Sequence, residues 1–151
     1  MSPHDESALL ANAWTLQRAA KAGQTQPLLR GKNLGLLCEV DDDDAALFRR
    51  AAMEMGARVA HIRPSLSELS TPQEVQHTAR MLGRLYDAVE CQGMAAALVQ
   101  QVSNEAGVPV YDGIASKDHP TARLAELLGN GSRPADNRRF VLQAVLLSTI
   151  A

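Results

Sequence analysis

The chain reads as a single α/β domain, a three-layer fold with a four-stranded parallel sheet flanked by helices and closed by a C-terminal helix. Three observations carry that reading. Short apolar runs alternate with helical periodicities between residues 34 and 128, and such alternation implies parallel strands joined by right-handed crossovers. Apolar residues make up 46% of the chain but aromatics only 3%, so the core must be aliphatic, as parallel sheets covered on both faces usually are. A length of 151 residues suits one core that removes roughly two-thirds of the unfolded surface from water.

Residues 7–22 place Leu9, Leu10, Ala13, Leu16 and Ala20 at three- and four-residue spacings, with Ser7 as candidate cap and Gly23 as stop, and predict an amphipathic helix. The turn Gly31–Gly35 leads into a first strand, Leu34–Cys38; because it precedes the strand, it is no phosphate-cradling loop. A helix follows over 45–55, stopped by Gly56, then a second strand Val59–Ile62 and a polar loop 63–72. A helix over 73–82, a third strand Tyr86–Glu90, a helix over 95–104, a fourth strand Val108–Tyr111 and a helix over 119–128 complete the alternation. Gly129–Asp136, GNGSRPAD, is densest in helix breakers, and 137–150 is a last helix, apolar on most sides from Phe140 onward and therefore largely buried.

A net charge of −2 supplies no global field for nucleic acid or an anionic membrane surface, and the scattered basic residues have no aromatic stacking platform beside them. Cys38 and Cys91 each end an apolar run; two such residues make no disulfide framework and read as buried, reduced thiols. The start of the chain, with His4, Asp5 and Glu6, lacks a basic-then-apolar signal, and no apolar stretch approaches the ~20 residues of a membrane span. The expectation is a soluble, cytoplasmic protein.

Asp41, Asp42, Asp43 and Asp44 stand where the first strand gives way to a helix. Helix N-termini and strand C-ends usually attract anions, since free N–H groups and the helix dipole point there. Four carboxylates at that turn oppose an anion. They suit a helix cap, or a site for a cation, amine or guanidinium. Asp oxygens suit Mg²⁺ or Ca²⁺, but the run lacks EF-hand spacing and its neighbours project in different directions. No metal is assigned, either here or at His61 and His77, and no cofactor motif or nucleophile elbow occurs.

Four segments together resemble the aspartate/ornithine carbamoyltransferase family. LLRGKNLGLLCEV (Leu28–Val40) is similar to the first strand of its carbamoyl-phosphate domain, HTARMLGRLYDAV (His77–Val89) to its third helix and strand, and GVPVYDGIASKDHPTARLAELL (Gly107–Leu128) to its fourth strand and His-Pro helix. DNRRFVLQAVLLSTI (Asp136–Ile150) resembles the family's C-terminal helix, which opens with Glu-Asn-Arg and packs back on the first domain. The resemblance implies a carbamoyl-phosphate-type domain over 1–128, a linker 129–136 in place of the amino-acid-binding domain, and a helix 137–151 that closes the first domain. It reads as an internal deletion.

Matched residue by residue, the family's Ser-Thr-Arg-Thr-Arg phosphate loop falls on Asp41, Asp42, Asp43, Asp44 and Ala45. The Arg that holds the carbamoyl oxygen falls on Gln92, and the Gln of His-Pro-x-Gln on Ala122. His119, Pro120, Thr121 and Arg138 retain the family's residue types. These four, with Asp41–Asp44 and Gln92, form the candidate ligand-binding set; His119 and Arg138 are remnants of the catalytic set, Arg138 with the further possibility of pairing with the Asp run and His119 of serving only as a helix start. At an effective dielectric of 20 a phosphate charge meets about 4 kcal/mol of repulsion per close carboxylate, against about 1.5–3 kcal/mol for each lost charged hydrogen bond.

The resemblance further implies a homotrimer with sites between neighbouring subunits. Three readings follow. The first is a non-catalytic binding or regulatory module that associates with a full-length carbamoyltransferase or holds a cationic small molecule. The second is a reduced carbamoyltransferase, active in carboxyl- or carbamoyl-transfer only with neighbouring subunits. The third is a ligand-free scaffold.

Overall fold

The computed structural model describes residues 2–129 and 131–151. Helix α1 (Pro3–Lys21) precedes β1 (Asn33–Leu37), α2 (Asp43–Glu54), β2 (Arg58–Ile62), α3 (Pro72–Leu85), β3 (Ala88–Cys91), α4 (Ala96–Ala106) and β4 (Val110–Asp112). A 3₁₀ turn (Pro120–Arg123) then runs into the short α5 (Leu124–Leu128), and α6 (Pro134–Ile150) ends the fold. The four strands are parallel, in the order β2-β1-β3-β4. The predicted three-layer α/β fold is observed.

Alternation along the strands divides two cores. Leu34, Leu36, Ala88 and Tyr111 face one layer, packed with Phe48, Leu124, Leu128 and Phe140 to Leu142; Leu37, Val89 and Cys91 face the other, with Val75, Leu82, Leu98 and Val102. Thus α3 and α4 cover one face, while α1, α2, α5 and α6 cover the opposite one. Both cysteines are free and buried, as expected.

Several boundaries move, for local reasons. Helix α1 begins at Pro3, because Ser2 rather than Ser7 caps it: Ser2 and Asp5 exchange side-chain-to-backbone bonds in a capping box. Thr71 and Glu74 do the same for α3, which runs on to Leu85. The single helix expected over 119–128 divides into a 3₁₀ turn and α5. Helix α6 starts at Pro134, inside the predicted linker, since Pro is preorganised for the first helical position.

The terminal helix is held by polar contacts as well as by its apolar length. Gln17 Nε2 donates to Gly129 O at 3.0 Å and to Asn137 Oδ1 at 3.0 Å, and Trp14 Nε1 donates to Leu128 O at 3.0 Å. Arg139, 8% exposed, pairs with Glu54 and Asp136 and lies 4.8 Å over the Phe140 ring. No described helix is long and apolar enough to cross a membrane.

Candidate functional site

Strand order 2-1-3-4 reverses direction between β1 and β3, and in open α/β sheets the crevice beyond the strand ends at such a point is where ligands bind. A cleft of about 430 Å³ lies there, lined by Cys38, Glu39, Asp42 and Asp44 after β1, Gln92 and Gly93 after β3, and Gly113 and Ser116 after β4. Three carboxylates line it. No lysine or arginine does.

The Asp run is divided by the start of α2. Asp42 is its N-cap, accepting the Ala45 N–H at 3.0 Å, and Asp41 pairs with Arg49 at 2.8 Å. Asp43 is exposed, whereas Asp44 is half-buried; burial first, then the Asp42 charge, raises the Asp44 carboxyl above its ordinary value, with Arg138 and Lys117 opposing. An Asp42→Ala substitution is expected to cost about 1 kcal/mol in urea denaturation through loss of the cap.

The remaining candidates lie elsewhere. His119 is the N-cap of the 3₁₀ turn: the Thr121 N–H donates to its Nδ1 at 3.2 Å, which leaves the proton on Nε2. Burial lowers its pKa, with Asp112 opposing. His119 and Thr121 line a separate cleft with Asp112, Tyr111 and Thr149, and Pro120 is exposed at the first position of the turn. Arg138 donates to the Ala115 carbonyl and lines a third, basic cleft with Lys117 and Arg123. It makes no direct ion pair with the Asp run among the described residues; Arg49 takes that part. The nine-residue candidate set therefore resolves into one cleft, holding Asp42, Asp44 and Gln92, and scattered remnants. Lys117 and Asp118 in the intervening segment are exposed, while Ser116 lines the acidic cleft.

One residue at this site was not read from the sequence. Glu90 is fully buried at the end of β3, where Oε1 accepts the Ile114 N–H at 3.2 Å and Oε2 accepts the Ala115 N–H at 3.3 Å and Gln92 Nε2 at 3.2 Å. Burial pushes its carboxyl up to about 7, against those hydrogen bonds. The available signal was an acid inside a both-face-buried parallel strand, where an ionisable group is out of place.

Residues 1–129 match the family described as aspartate/ornithine carbamoyltransferase, carbamoyl-P binding domain. The chain belongs to this family. It is 40% identical over 114 residues to an ornithine carbamoyltransferase of Haemophilus influenzae, covering 75% of this chain and 34% of that protein. The carbamoyltransferase-like chain thus spans about a third of that relative's length. Solved ornithine carbamoyltransferases from Burkholderia thailandensis (TM-score 0.72, 20% identity, 85% of this chain and 44% of that one) and Pyrococcus furiosus (0.71, 24%, 83% and 40%) share the fold. That from Gloeobacter violaceus is 28% identical at a TM-score of 0.59, over 82% of this chain and 40% of its own.

Proposed function

We propose that this carbamoyltransferase-like chain is a non-catalytic binding or regulatory module, whose switch-point crevice accepts a small cation, amine or guanidinium in place of carbamoyl phosphate. The observation that carries the reading is the cleft lining: Glu39, Asp42 and Asp44 with no cationic side chain. Acyl and phosphoryl chemistry at such a place relies on fixed positive charge opposite the developing anion. Gln92 stands where the resemblance puts an arginine, and His119 and Arg138 line other clefts.

Residues 129–136 belong to the same proposal as the stand-in for an amino-acid-binding domain, with α6 closing the first domain. So do cytoplasmic residence, supported by the two buried free cysteines, and assembly as a homotrimer and association with a full-length carbamoyltransferase, supported by the family resemblance. A thermal-shift panel of carbamoyl phosphate, ornithine, aspartate and arginine tests the ligand preference. Ligand that binds only the folded state raises the midpoint by mass action. The expected pattern is a shift with arginine or ornithine and none with carbamoyl phosphate.

A second reading has one observation in its favour. The cleft of about 490 Å³ beside Lys117, Arg123 and Arg138 is basic, with Glu126 as its one acid. A reduced carbamoyltransferase recruiting phosphate through Arg138 and a neighbouring subunit would use it. A shift with carbamoyl phosphate that disappears on Arg138→Gln substitution would favour this reading over the first.

A further inference from the structure

Glu90 and Gln92 meet at the end of β3, one residue buried in the protein and the other lining the acidic cleft. Gln92 Nε2 donates to Glu90 Oε2 at 3.2 Å, while the other end of the same amide, Gln92 Oε1, is buried and has no hydrogen-bond partner. The two facts have one cause. A carboxylate only accepts, so it holds the amide nitrogen toward itself and strands the amide oxygen. A carboxylic acid also donates, and its O–H is matched by a carbonyl oxygen. The two ends of an amide are nearly the same size, so Gln92 can turn end for end without repacking.

We propose that Glu90 and Gln92 form a proton-controlled pair, in which the ionisation of Glu90 sets which end of the Gln92 amide is turned toward it and whether a negative charge stands behind the acidic cleft. In the ionised state the amide nitrogen points to Glu90, its oxygen stays buried without a partner, and a further negative charge lies beside the cleft-lining Gln92. That state favours a cation. One proton taken from solvent converts Glu90 to the acid; its Oε2–H then donates to Gln92 Oε1, the amide reverses, and the –NH₂ takes the place of the stranded oxygen. Charge and hydrogen-bond polarity change together.

Other groups around the pair do not duplicate it. Burial pushes the Cys91 thiol and the Tyr111 hydroxyl up to about 12 and raises Cys38, so all three stay neutral near pH 7. Glu39, Asp42 and Asp44 line the cleft, Asp41 is paired with Arg49, Asp112 lies on β4, and His61 Nε2 sits 2.9 Å from the Cys38 carbonyl. His119 titrates below its ordinary value in a different cleft. Glu90 enters none of the ion pairs among the described residues, so no direct partner charge fixes its state.

The test is side-chain NMR of the full chain between pH 5 and 9. The Gln92 –NH₂ signals are expected to move with the same midpoint as the Glu90 carboxyl and to stay fixed in Glu90→Gln; Gln92 signals indifferent to that titration overturn the proposal. Gln92→Met supplies a second variant, in which removing the amide donor raises the Glu90 midpoint; an unchanged midpoint counts against the pair. A calorimetric arm uses L-arginine as probe and rests on the cation reading above. Affinity should rise several-fold from pH 6 to pH 8 in the native chain and not in Glu90→Gln, and equal affinity at both pH values in the native chain overturns the proposal. Absence of arginine binding at either pH would sink the cation reading, while the NMR arm still decides the pair.

Discussion

Glycine 83 replaced by alanine is expected to lower stability by about 3 kcal/mol, the upper range for overpacking a close contact. A Cβ at this position would lie 1.8 Å from the Ala106 carbonyl oxygen and 2.9 Å from its carbonyl carbon, so α3 and α4 must separate to admit one methyl group. Backbone propensity acts the other way, since alanine in a helix interior is favoured over glycine by about 1 kcal/mol. The close approach decides the sign. Gln76 and Arg80 of α3 both reach Glu105 of α4 across the same seam, so displacement there also loosens those contacts. Urea denaturation checks the expectation: the midpoint falls with an unchanged slope, whereas an unchanged or raised midpoint would contradict the α3–α4 packing.

Protein stability is expected to fall as pH rises from about 5 to about 7.5, and Glu90→Gln should remove most of that decline. The folded state raises the Glu90 carboxyl from 4.5 to about 7, so it holds this proton more tightly than the unfolded chain does. The resulting stabilisation is complete below pH 4.5 and lost as pH rises through about 7, a change on the order of 3 kcal/mol. Asp5 and Glu74, held below their ordinary 3.8 and 4.5 by capping bonds, act oppositely but only at lower pH. His119, lowered by burial, contributes stability present above its ordinary value and lost as pH falls. The difference between the native chain and Glu90→Gln therefore isolates Glu90. Parallel stability–pH profiles for the two proteins would show that the carboxyl is not displaced.

The fold was legible because its signals are local and repeated. Leu34 to Cys38, Val59 to Ile62 and the run around Val89 are short apolar strands between helical periodicities, and a parallel sheet is the arrangement that covers both their faces. Element ends were less legible, since they depend on which of several competent caps is used. Ser2 and Ser7 are the same residue type, and only Ser2 has an acid three residues on that returns the bond. A third of the candidate set was legible for the same local reason: Asp42 and Asp44 sit at a strand end, and the switch point brings Gln92 beside them. The rest depends on tertiary geometry. His119 is drawn into capping its own turn, Arg138 is turned to the Ala115 carbonyl, and Glu90 acquires its role from backbone N–H groups more than twenty residues away.

The central claim is that the crevice of this carbamoyltransferase-like chain has reversed its charge preference. Calorimetric titration at pH 8 with carbamoyl phosphate and, separately, L-arginine tests it most directly. The account predicts measurable heat of binding with arginine and none with carbamoyl phosphate; micromolar affinity for carbamoyl phosphate would contradict it.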